Sequence, residues 1–366
     1  MIRFFLFIIG VLVVLSCERQ REFTINGEID GLDDEMVYLL RYEEGERRPV
    51  DSTRMQGGRF SFNGSVDVPQ FYHIGVEGFR STIEVFLENS EIEVESSRRN
   101  IREANVEGSS VHDEYDDFKM RLIHIDLDIN DVENDMEYLK RWGHDEQAEK
   151  LRKEQYEPLL EKRQEFLIDY VESNTSSHVA AFVLYHQLMY ALESEKLEEL
   201  LDSFDNSVAD SPYLSDVEQE IENLKALAPG EPYRDFEMAS PQGDTVSLSS
   251  FVGEGYLLVD FTASWSETCR RKIPELIEIH EKYGDRGLDI VSVSLDHDRQ
   301  EWISFIEEEG LNWDHMSDLK QWESEAVELY VVRSIPHRVL IAPDGTIVSN
   351  GFDSTEELDE RLAGLI

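Results

Sequence analysis

The stretch FTASWSETCRRKIP, residues 261–274, holds a serine and a cysteine three positions apart, where an apolar strand pattern gives way to a helical one. Residues i and i+3 at a helix N-terminus lie on one face, where the helix dipole and the free N–H groups stabilise a thiolate. Two cysteines at this spacing exchange disulfides. Here Ser266 holds the first position and Cys269 the second. Because a serine hydroxyl is far less acidic than a thiol and forms no disulfide, we expect ordinary dithiol exchange to be lost.

The other cysteine of the chain, Cys17, follows an N-terminal apolar run. One cation, Arg3, precedes the 12 residues of 4–15, which is the pattern of a secretory signal. As a helix this run spans about 18 Å, short of the ~30 Å hydrocarbon core of a membrane. Cleavage is therefore favoured over a permanent transmembrane helix.

The sequence VLSC that ends this run resembles the lipobox of bacterial lipoproteins. The resemblance implies a signal peptide over 1–16, an acylated Cys17 and a tether over 17–22. The alternative is a signal-peptide cysteine without that modification. With Cys17 acylated, Cys269 is the one thiol left, and the chain cannot close a disulfide within itself. We expect an exported protein, lipid-anchored to the cell envelope on the periplasmic face or at the outer membrane.

Composition narrows the classes of partner. The 366 residues are 40% hydrophobic, enough for two or three domains, and 79 acidic against 34 basic residues give a formal charge of −45. Such a charge repels phosphate backbones, so nucleic-acid binding is not expected. We expect envelope proteins with thiols or extended segments as partners, and the membrane through the lipid anchor.

Two regions precede the residues around Cys269. Short alternating runs broken by turns predict a small antiparallel, sandwich-like β-domain over 23–107, with Phe60 and Phe62 on one face of a strand. The following segment, 108–228, is predicted to be helical. Its apolar residues recur in alternating steps of four and three, as in a coiled-coil seam: Val111, Tyr115, Phe118, Leu122, Ile125, Ile129, Val132, Met136 and Leu139. The seam is covered either by a second helix of the same chain or by a homodimer partner.

The last part of the chain, 232–366, is predicted to be an α/β domain. The stretch ALAPGEP, 226–232, has the proline and glycine of a linker before it. Two apolar runs, YLLVDFTA and LDIVSVSLD, flank a helical segment, which indicates parallel strands in a sheet covered on both faces. The turn APDGT then joins two antiparallel strands.

This last domain resembles the thioredoxin superfamily, and within it the TlpA-like (redoxin) thiol-disulfide oxidoreductases of bacterial envelopes. The resemblance covers about 232–366 and rests on a strand-to-helix motif and on YVVRSIPHRVLIAPDG. The motif residues are Asp260, Phe261, Ala263, Ser264, Trp265, Ser266, Cys269 and Pro274. The preceding β-region resembles the domain of unknown function found in lipoproteins of the Bacteroidetes type. The fold class implied is an α/β thioredoxin fold at the C-terminus, preceded by a small antiparallel β-domain and an α-helical region.

The resemblance also implies roles for site residues. In the family the first cysteine is the exposed nucleophile, the second resolves the mixed disulfide, and a buried carboxylate beneath the second cysteine, here Asp260, acts as its base. Pro336 is expected to follow a cis peptide bond and, with Ile335 and Trp265, to bind an extended substrate by strand addition. No cofactor or metal is expected, because one cysteine and scattered histidines fall short of a four-ligand zinc pattern.

Three functions remain open for a site with Ser266 in the first position. The first is a binding or regulatory module that kept the groove and lost the redox cycle. The second is a monothiol oxidoreductase in which Cys269 attacks and an external thiol resolves the adduct. The third is a peroxiredoxin-like peroxidase, since peroxiredoxins carry threonine or serine three residues before their cysteine. Peroxiredoxins also carry a proline seven residues before that cysteine and an arginine further on. Here Thr262 and Pro336 occupy those two positions.

Overall fold

The computed structural model describes residues 22–43, 46–352 and 354–366. The chain divides into two compact units. The first contains the residues up to Leu188 together with Leu200–Ser215, and the second contains Met189–Glu199 and Asp216–Ile366. The helical region predicted over 108–228 is therefore shared between the two units, whereas the sequence treated it as one segment.

The first unit opens with eight strands in two four-stranded sheets: β1 Phe23–Asp30, β2 Met36–Glu43, β3 Glu46–Arg54, β4 Arg59–Gly64, β5 Gln70–Val76, β6 Thr82–Leu87, β7 Glu91–Ser97 and β8 Asn105–Glu107. The sheet orders are β4-β1-β7-β8 and β3-β2-β5-β6, and apolar side chains from both sheets form one buried cluster. Phe60 and Phe62 lie in that cluster, as predicted. The expectation of a purely antiparallel domain is wrong at one place, because β1 and β7 pair in parallel.

The helices between residues 108 and 228 are α1 Ser110–Arg141, α2 Asp145–Leu151, α3 Glu157–Ser173, α4 His178–Val183, α5 Ser194–Asp202 and α6 Pro212–Lys225. Seven residues of α1 are buried, and six of them belong to the predicted apolar seam. Phe118 of the seam contacts Phe166 and Tyr170 of α3 with ring centroids 6.1 and 4.6 Å apart. A second helix of the same chain therefore packs on the seam. Within the described ranges, no helix is both long enough and apolar enough to cross a membrane.

The second unit is built on a five-stranded sheet of order β13-β12-β11-β14-β15. The strands of this sheet are β11 Tyr256–Thr262, β12 Leu288–Ser294, β13 Asp314–Met316, β14 His337–Ile341 and β15 Ile347–Asn350. Before them in the chain, β9 Glu237–Ala239 and β10 Thr245–Ser247 form a separate hairpin. The strands β11, β12 and β13 are parallel, whereas β14 and β15 are antiparallel to their neighbours. The predicted strand–helix–strand unit and the antiparallel pair around APDGT are confirmed.

Four helices accompany this sheet: α7 Glu267–Tyr283, α8 Arg299–Glu309, α9 Glu325–Leu329 and α10 Thr355–Ala363. Because side chains alternate along a strand, β11 sends Val259 and Phe261 into one buried cluster and Leu258 into another on the opposite face. Asp260 has the same parity as Leu258, so the sequence places this carboxylate inside the second face, under α7 and α10. The buried face explains why an acid at the end of a strand is kept from water.

The stretch 226–232, predicted to be a linker, is packed against the sheet. Leu227 is fully buried in the core of the second unit. The Gly230 N–H donates to the Ile347 carbonyl at 2.8 Å, and the Ile347 N–H donates to the Glu231 carbonyl at 2.7 Å. Pro229 and Gly230 shape the backbone here, but the leucine side chain just before them belongs to the core.

This packing leads to a prediction about the domain boundary. A fragment covering 216–366 is expected to be more stable than one covering 232–366, because the shorter fragment loses the buried Leu227 side chain and the two hydrogen bonds to Ile347. Removing a buried leucine side chain costs about 2–5 kcal/mol. Urea unfolding of both fragments measures the difference. Equal stability would show that 226–231 contributes nothing to the core.

Candidate functional site

The loop between β11 and α7 carries Ser266 and Cys269. Ser266 is the N-cap of α7, in an extended backbone conformation with φ −88° and ψ 110°. Its hydroxyl oxygen accepts a hydrogen bond from the Cys269 N–H at 3.2 Å. A serine at the N-cap satisfies one of the free N–H groups of a helix. Ser266 thus has a structural role at the position where a dithiol enzyme has a nucleophile.

Cys269 is a free thiol with only 1% of its surface exposed. Burial is the largest cause of a raised pKa for this thiol, and the negative charge of Asp260 raises it further. The hydroxyls of Ser266 and Thr262 and the backbone at Ala263 oppose that rise. At neutral pH the sulfur is therefore a protonated, enclosed thiol.

Beneath this sulfur, Asp260 forms a buried ion pair with Arg338. The Arg338 Nε donates to Asp260 Oδ1 at 3.0 Å, with side-chain exposures of 8% and 2%. The two residues face each other across β14 and β11 in the antiparallel register. Burial raises the pKa of the Asp260 carboxyl, and the guanidinium of Arg338 opposes that rise. Asp260 is buried, as the sequence indicated, but its partner is a cation; its role as a base for Cys269 stays a prediction.

The Asp260–Arg338 pair continues into a polar chain. Arg338 Nη1 donates to Thr355 Oγ1 at 3.3 Å, and Thr355 in turn donates to Glu275 Oε2 at 2.5 Å. Glu275 also accepts from Lys272 Nζ at 2.9 Å. Thr355 is the first residue of α10, whereas Lys272 and Glu275 lie on α7. The buried pair therefore ties both helices to the sheet.

A second buried carboxylate, Asp296, fixes the loop before α7. It accepts from the Ser264 hydroxyl at 2.6 Å and from the Ser294 hydroxyl at 2.7 Å, and also from the Ser264 N–H. Arg270 reaches back to the Ser264 carbonyl at 2.8 Å and pairs with Glu309. The loop that carries Ser266 is therefore held rigidly from both sides.

The predicted substrate-binding residues lie at the same end of the sheet. The Ile335–Pro336 peptide bond is cis, as the resemblance implied. Because Phe261 pairs with His337, Pro336 stands opposite the end of β11. Trp265 is 45% exposed, and its indole N–H donates to the Leu295 carbonyl at 3.2 Å. The structure thus gathers Cys269, Ser266, Trp265, Ile335 and Pro336 around the ends of β11 and β14.

The remaining site predictions have different outcomes. Cys17 lies outside the described residues. Within the described ranges, no group of three or more histidine, cysteine, aspartate or glutamate side chains could hold a metal ion. His337, one of the scattered histidines, contacts Asn350 Oδ1 through its Nε2 at 2.9 Å, and burial lowers its pKa.

Sequence reasoning missed three residues of this site: Arg338, Asp296 and Trp322. Arg338 had a signal, since it interrupts the apolar run HRVLI of a strand expected to be buried. A cation there requires a buried partner. Asp296 directly follows a serine-rich strand end, which gave no comparable signal. Trp322 contacts Trp265, with ring centroids 6.4 Å apart, and no motif marked it.

Among solved structures, the chain is similar to the thiol-disulfide oxidoreductase from Bacteroides fragilis, with 27% identity, 37% of this chain and 100% of that chain covered, and a TM-score of 0.35. The thioredoxin domain of a thiol-disulfide oxidoreductase from Bacteroides vulgatus gives 27% identity, 38% and 99% coverage, and a TM-score of 0.35.

Among curated proteins, the chain is similar to the thiol-disulfide oxidoreductase ResA of Oceanobacillus iheyensis, with 32% identity over 103 residues. That match covers 28% of this chain and 52% of the relative, so the chain spans about half the length of that protein. ResA of Bacillus subtilis is 23% identical over 124 residues, which cover 34% of this chain and 67% of the relative.

Family comparisons assign both ends of the described chain. Residues 23–115 match a domain of unknown function, DUF4369, and residues 229–350 match the AhpC/TSA family. The first match covers the β-region and the start of α1. The second covers the five-stranded sheet together with Ser266, Cys269 and Pro336. The C-terminal part of the chain is thus similar to the AhpC/TSA family, and thiol-disulfide oxidoreductases are among the proteins that it resembles.

Proposed function

We propose that this thioredoxin-like domain is a binding or regulatory module with impaired dithiol exchange. The observation that carries the proposal is Ser266: its hydroxyl caps α7 where a dithiol enzyme needs a sulfur, and the remaining thiol, Cys269, is enclosed. The residues expected to bind substrate lie around it, with Trp265 exposed and the Ile335–Pro336 bond cis. Extended segments of envelope proteins are the proposed partners, held by strand addition beside Pro336.

The monothiol and peroxidase alternatives both require Cys269 as a nucleophile. A nucleophilic cysteine reacts as a thiolate and is partly exposed, with a lowered pKa. Burial and a raised pKa make Cys269 the opposite of such a residue. Resolution of a mixed disulfide by an outside thiol needs access to the sulfur as well. The geometry therefore favours the binding module over both alternatives.

Thiol reactivity tests this proposal directly. The native protein is incubated with oxidised glutathione, with hydrogen peroxide or with a bulky alkylating agent, and its intact mass is followed. We expect modification at least about tenfold slower than for the unfolded protein, since a tenfold rate change needs only one pKa unit of difference in thiolate population. Rapid formation of a glutathione adduct on the native protein would instead support the monothiol enzyme, and rapid oxidation by peroxide would support the peroxidase.

We further propose that the protein is exported and anchored to the cell envelope by acylation of Cys17. The support is the apolar run 4–15, its length, and the VLSC sequence at its end. Each buried methylene of an acyl chain contributes about 0.8 kcal/mol to membrane binding, so the acyl chains of a lipoprotein hold it firmly.

Replacing Cys17 tests this anchor. The Cys17→Ala variant is expected to be released or misprocessed, because no acyl chain can be attached at residue 17. Membrane fractionation and intact mass of the purified protein measure the outcome, with Cys269→Ala as the matched cysteine control. A Cys17→Ala protein that stays in the membrane fraction as fully as the parent would rule out the lipobox interpretation.

A further inference from the structure

Backbone strain in the described part of the chain is concentrated beside the site. Outside glycine, the left-handed region is occupied there by Leu319, Gln321 and Val331, with φ of 59°, 54° and 52°. This conformation is uncommon for such residues, and most of all for a β-branched valine. Strained backbone clusters where a protein binds or reacts. Two of these residues lie within the three positions before Trp322, and the third lies in the loop that leads to Pro336.

The turn that carries Trp322 is held in place. Ser317 Oγ donates to the Ser294 carbonyl at 2.8 Å and accepts from the Leu319 N–H at 3.1 Å. Gln321 Nε2 contacts His297 Nδ1 at 3.2 Å. These bonds hold the strained turn in one conformation. The indole of Trp322 is therefore preorganised, and this lowers the entropy cost of binding a partner.

Trp322 and Trp265 together form an exposed aromatic surface, called here the tryptophan pair. Each side chain is 45% exposed. Their ring centroids lie 6.4 Å apart and their planes are inclined by 56°. The two rings therefore do not stack flat, and neither ring covers the face of the other. The hydrogen bond from the Trp265 indole to Leu295 fixes the first ring. Among aromatic side chains, tryptophan offers a cation the strongest cation–π attraction.

The charges around the tryptophan pair also favour a cation. Three arginines near the site are already paired with carboxylates: Arg270 with Glu309, Arg333 with Glu220, and Arg338 with Asp260. Glu267, Glu323 and Glu325, which follow the two tryptophans closely in the chain, form no ion pair with another described residue and are exposed. Lys320 is the one opposing charge on the same turn. Arg271, one turn beyond Glu267 on α7, is a second exposed cation without a carboxylate partner among the described residues, so the three glutamates outnumber the two cations.

We propose that the tryptophan pair is a docking surface for a cationic side chain, arginine or lysine, on an extended protein segment bound beside Pro336. The inference rests on the proposed binding function and specifies the class of partner. A guanidinium or ammonium group over an indole face gains cation–π attraction, and the neighbouring carboxylates add a screened Coulomb term. Trp322 is the specificity-determining residue in this proposal, because its exposed indole face lies beside Trp265 where the cation would dock.

A peptide panel tests the proposal on the full chain. Blocked nonamers of glycine, serine and valine carry one arginine, lysine, leucine, glutamine or glutamate, moved along the peptide position by position. Binding is measured by titration calorimetry and by tryptophan fluorescence. At its best position the arginine peptide is expected to bind about tenfold more tightly than the leucine or glutamine peptide, an affinity difference of about 1.4 kcal/mol. The glutamate peptide is expected to bind most weakly.

Variants locate the effect. Trp322→Leu keeps an apolar side chain without the π face and is expected to abolish most of the preference for arginine, whereas Glu323→Gln should reduce its salt dependence. The matched controls are Trp142→Leu, a more exposed tryptophan at the C-cap of α1, and Glu360→Gln on α10, which should change nothing. Thermal unfolding checks that each variant is folded.

The outcomes separate this proposal from the one on which it rests. Equal binding of leucine and arginine peptides, or an undiminished arginine preference in Trp322→Leu, would overturn the cation surface while leaving the binding module in place. Failure of every peptide to bind would overturn both. Preference for arginine that survives in high salt and disappears in Trp322→Leu would assign the recognition to the indole face.

Discussion

Replacing Ser266 by cysteine is expected to give a protein that closes an intrachain disulfide with Cys269 and reduces model disulfides. The loop is already fixed by Asp296, Trp265 is exposed, and Pro336 stands at the facing strand end. The new thiol lies at the N-terminus of α7, where the helix dipole lowers its pKa below the ~8.5 of a free cysteine. One dithiol is oxidised for each substrate disulfide reduced. Activity should rise at least about a hundredfold over the parent, the scale of one positioned catalytic group.

The measurements are intact mass after oxidation and turnover of a small disulfide with an external reductant. Ser266→Ala is the matched control, since it removes the cap without supplying a sulfur, and Ser266→Cys with Cys269→Ser removes the resolving thiol. Both controls should be inactive. Comparable turnover by the parent would mean that Cys269 already works alone and that the binding-module proposal is wrong. A variant without a disulfide would show that changes other than Ser266 also block the site.

Replacing Arg338 by leucine is expected to destabilise the second unit by about 3–5 kcal/mol, because it leaves the Asp260 carboxylate buried without a partner. Removing both charges, in Asp260→Asn with Arg338→Leu, should recover much of that loss, since a buried pair is often replaceable as a whole. Denaturant unfolding measures each change. Lys282→Leu breaks the exposed pair with Asp359 and serves as the control, with an expected cost below about 1 kcal/mol.

The stability of the Arg338→Leu variant should depend on pH in a way that the parent's does not. Burial already raises the pKa of Asp260 above its ordinary 3.8, and losing Arg338 removes the charge that opposes the rise. The folded variant then binds a proton that the unfolded chain releases, so its stability falls as the pH rises from 3.8 through the folded pKa. Compared with the parent, Arg338→Leu should lose more stability at pH 7 than at pH 5. A loss that does not vary with pH would mean that Asp260 is not the source of the instability.

Local patterns in the sequence predicted much of the site. The apolar runs defined β11 and β12, the spacing of Ser266 and Cys269 placed them at a helix start, and APDGT defined the last hairpin. Each of these signals depends on neighbouring residues alone. The burial of Asp260 could also be inferred, because an acid inside a run such as LLVDF has no exposed face to occupy.

The features that were missed depend on contacts between distant segments. Arg338 meets Asp260 only through the register of β14 against β11, which the composition of either strand does not reveal. The parallel pairing of β1 with β7 and the burial of Leu227 have the same origin. Trp322 is presented by Leu319 and Gln321 in left-handed backbone, and turn rules reserve that conformation for glycine and asparagine.

The hydroxyl cap at Ser266 also has a consequence for the ancestry of the chain. Serine is among the side chains preferred at a helix N-cap, whereas a thiol is a weak acceptor. A mutation from cysteine to serine at this position therefore removes a catalytic sulfur while strengthening the start of α7. Selection for folding alone is enough to retain such a mutation, and alanine or valine would forfeit the cap at a cost of about 1 kcal/mol. Under the proposed binding function, we expect residue 266 of related chains that lack the first cysteine to vary within the capping residues, serine, threonine, aspartate and asparagine.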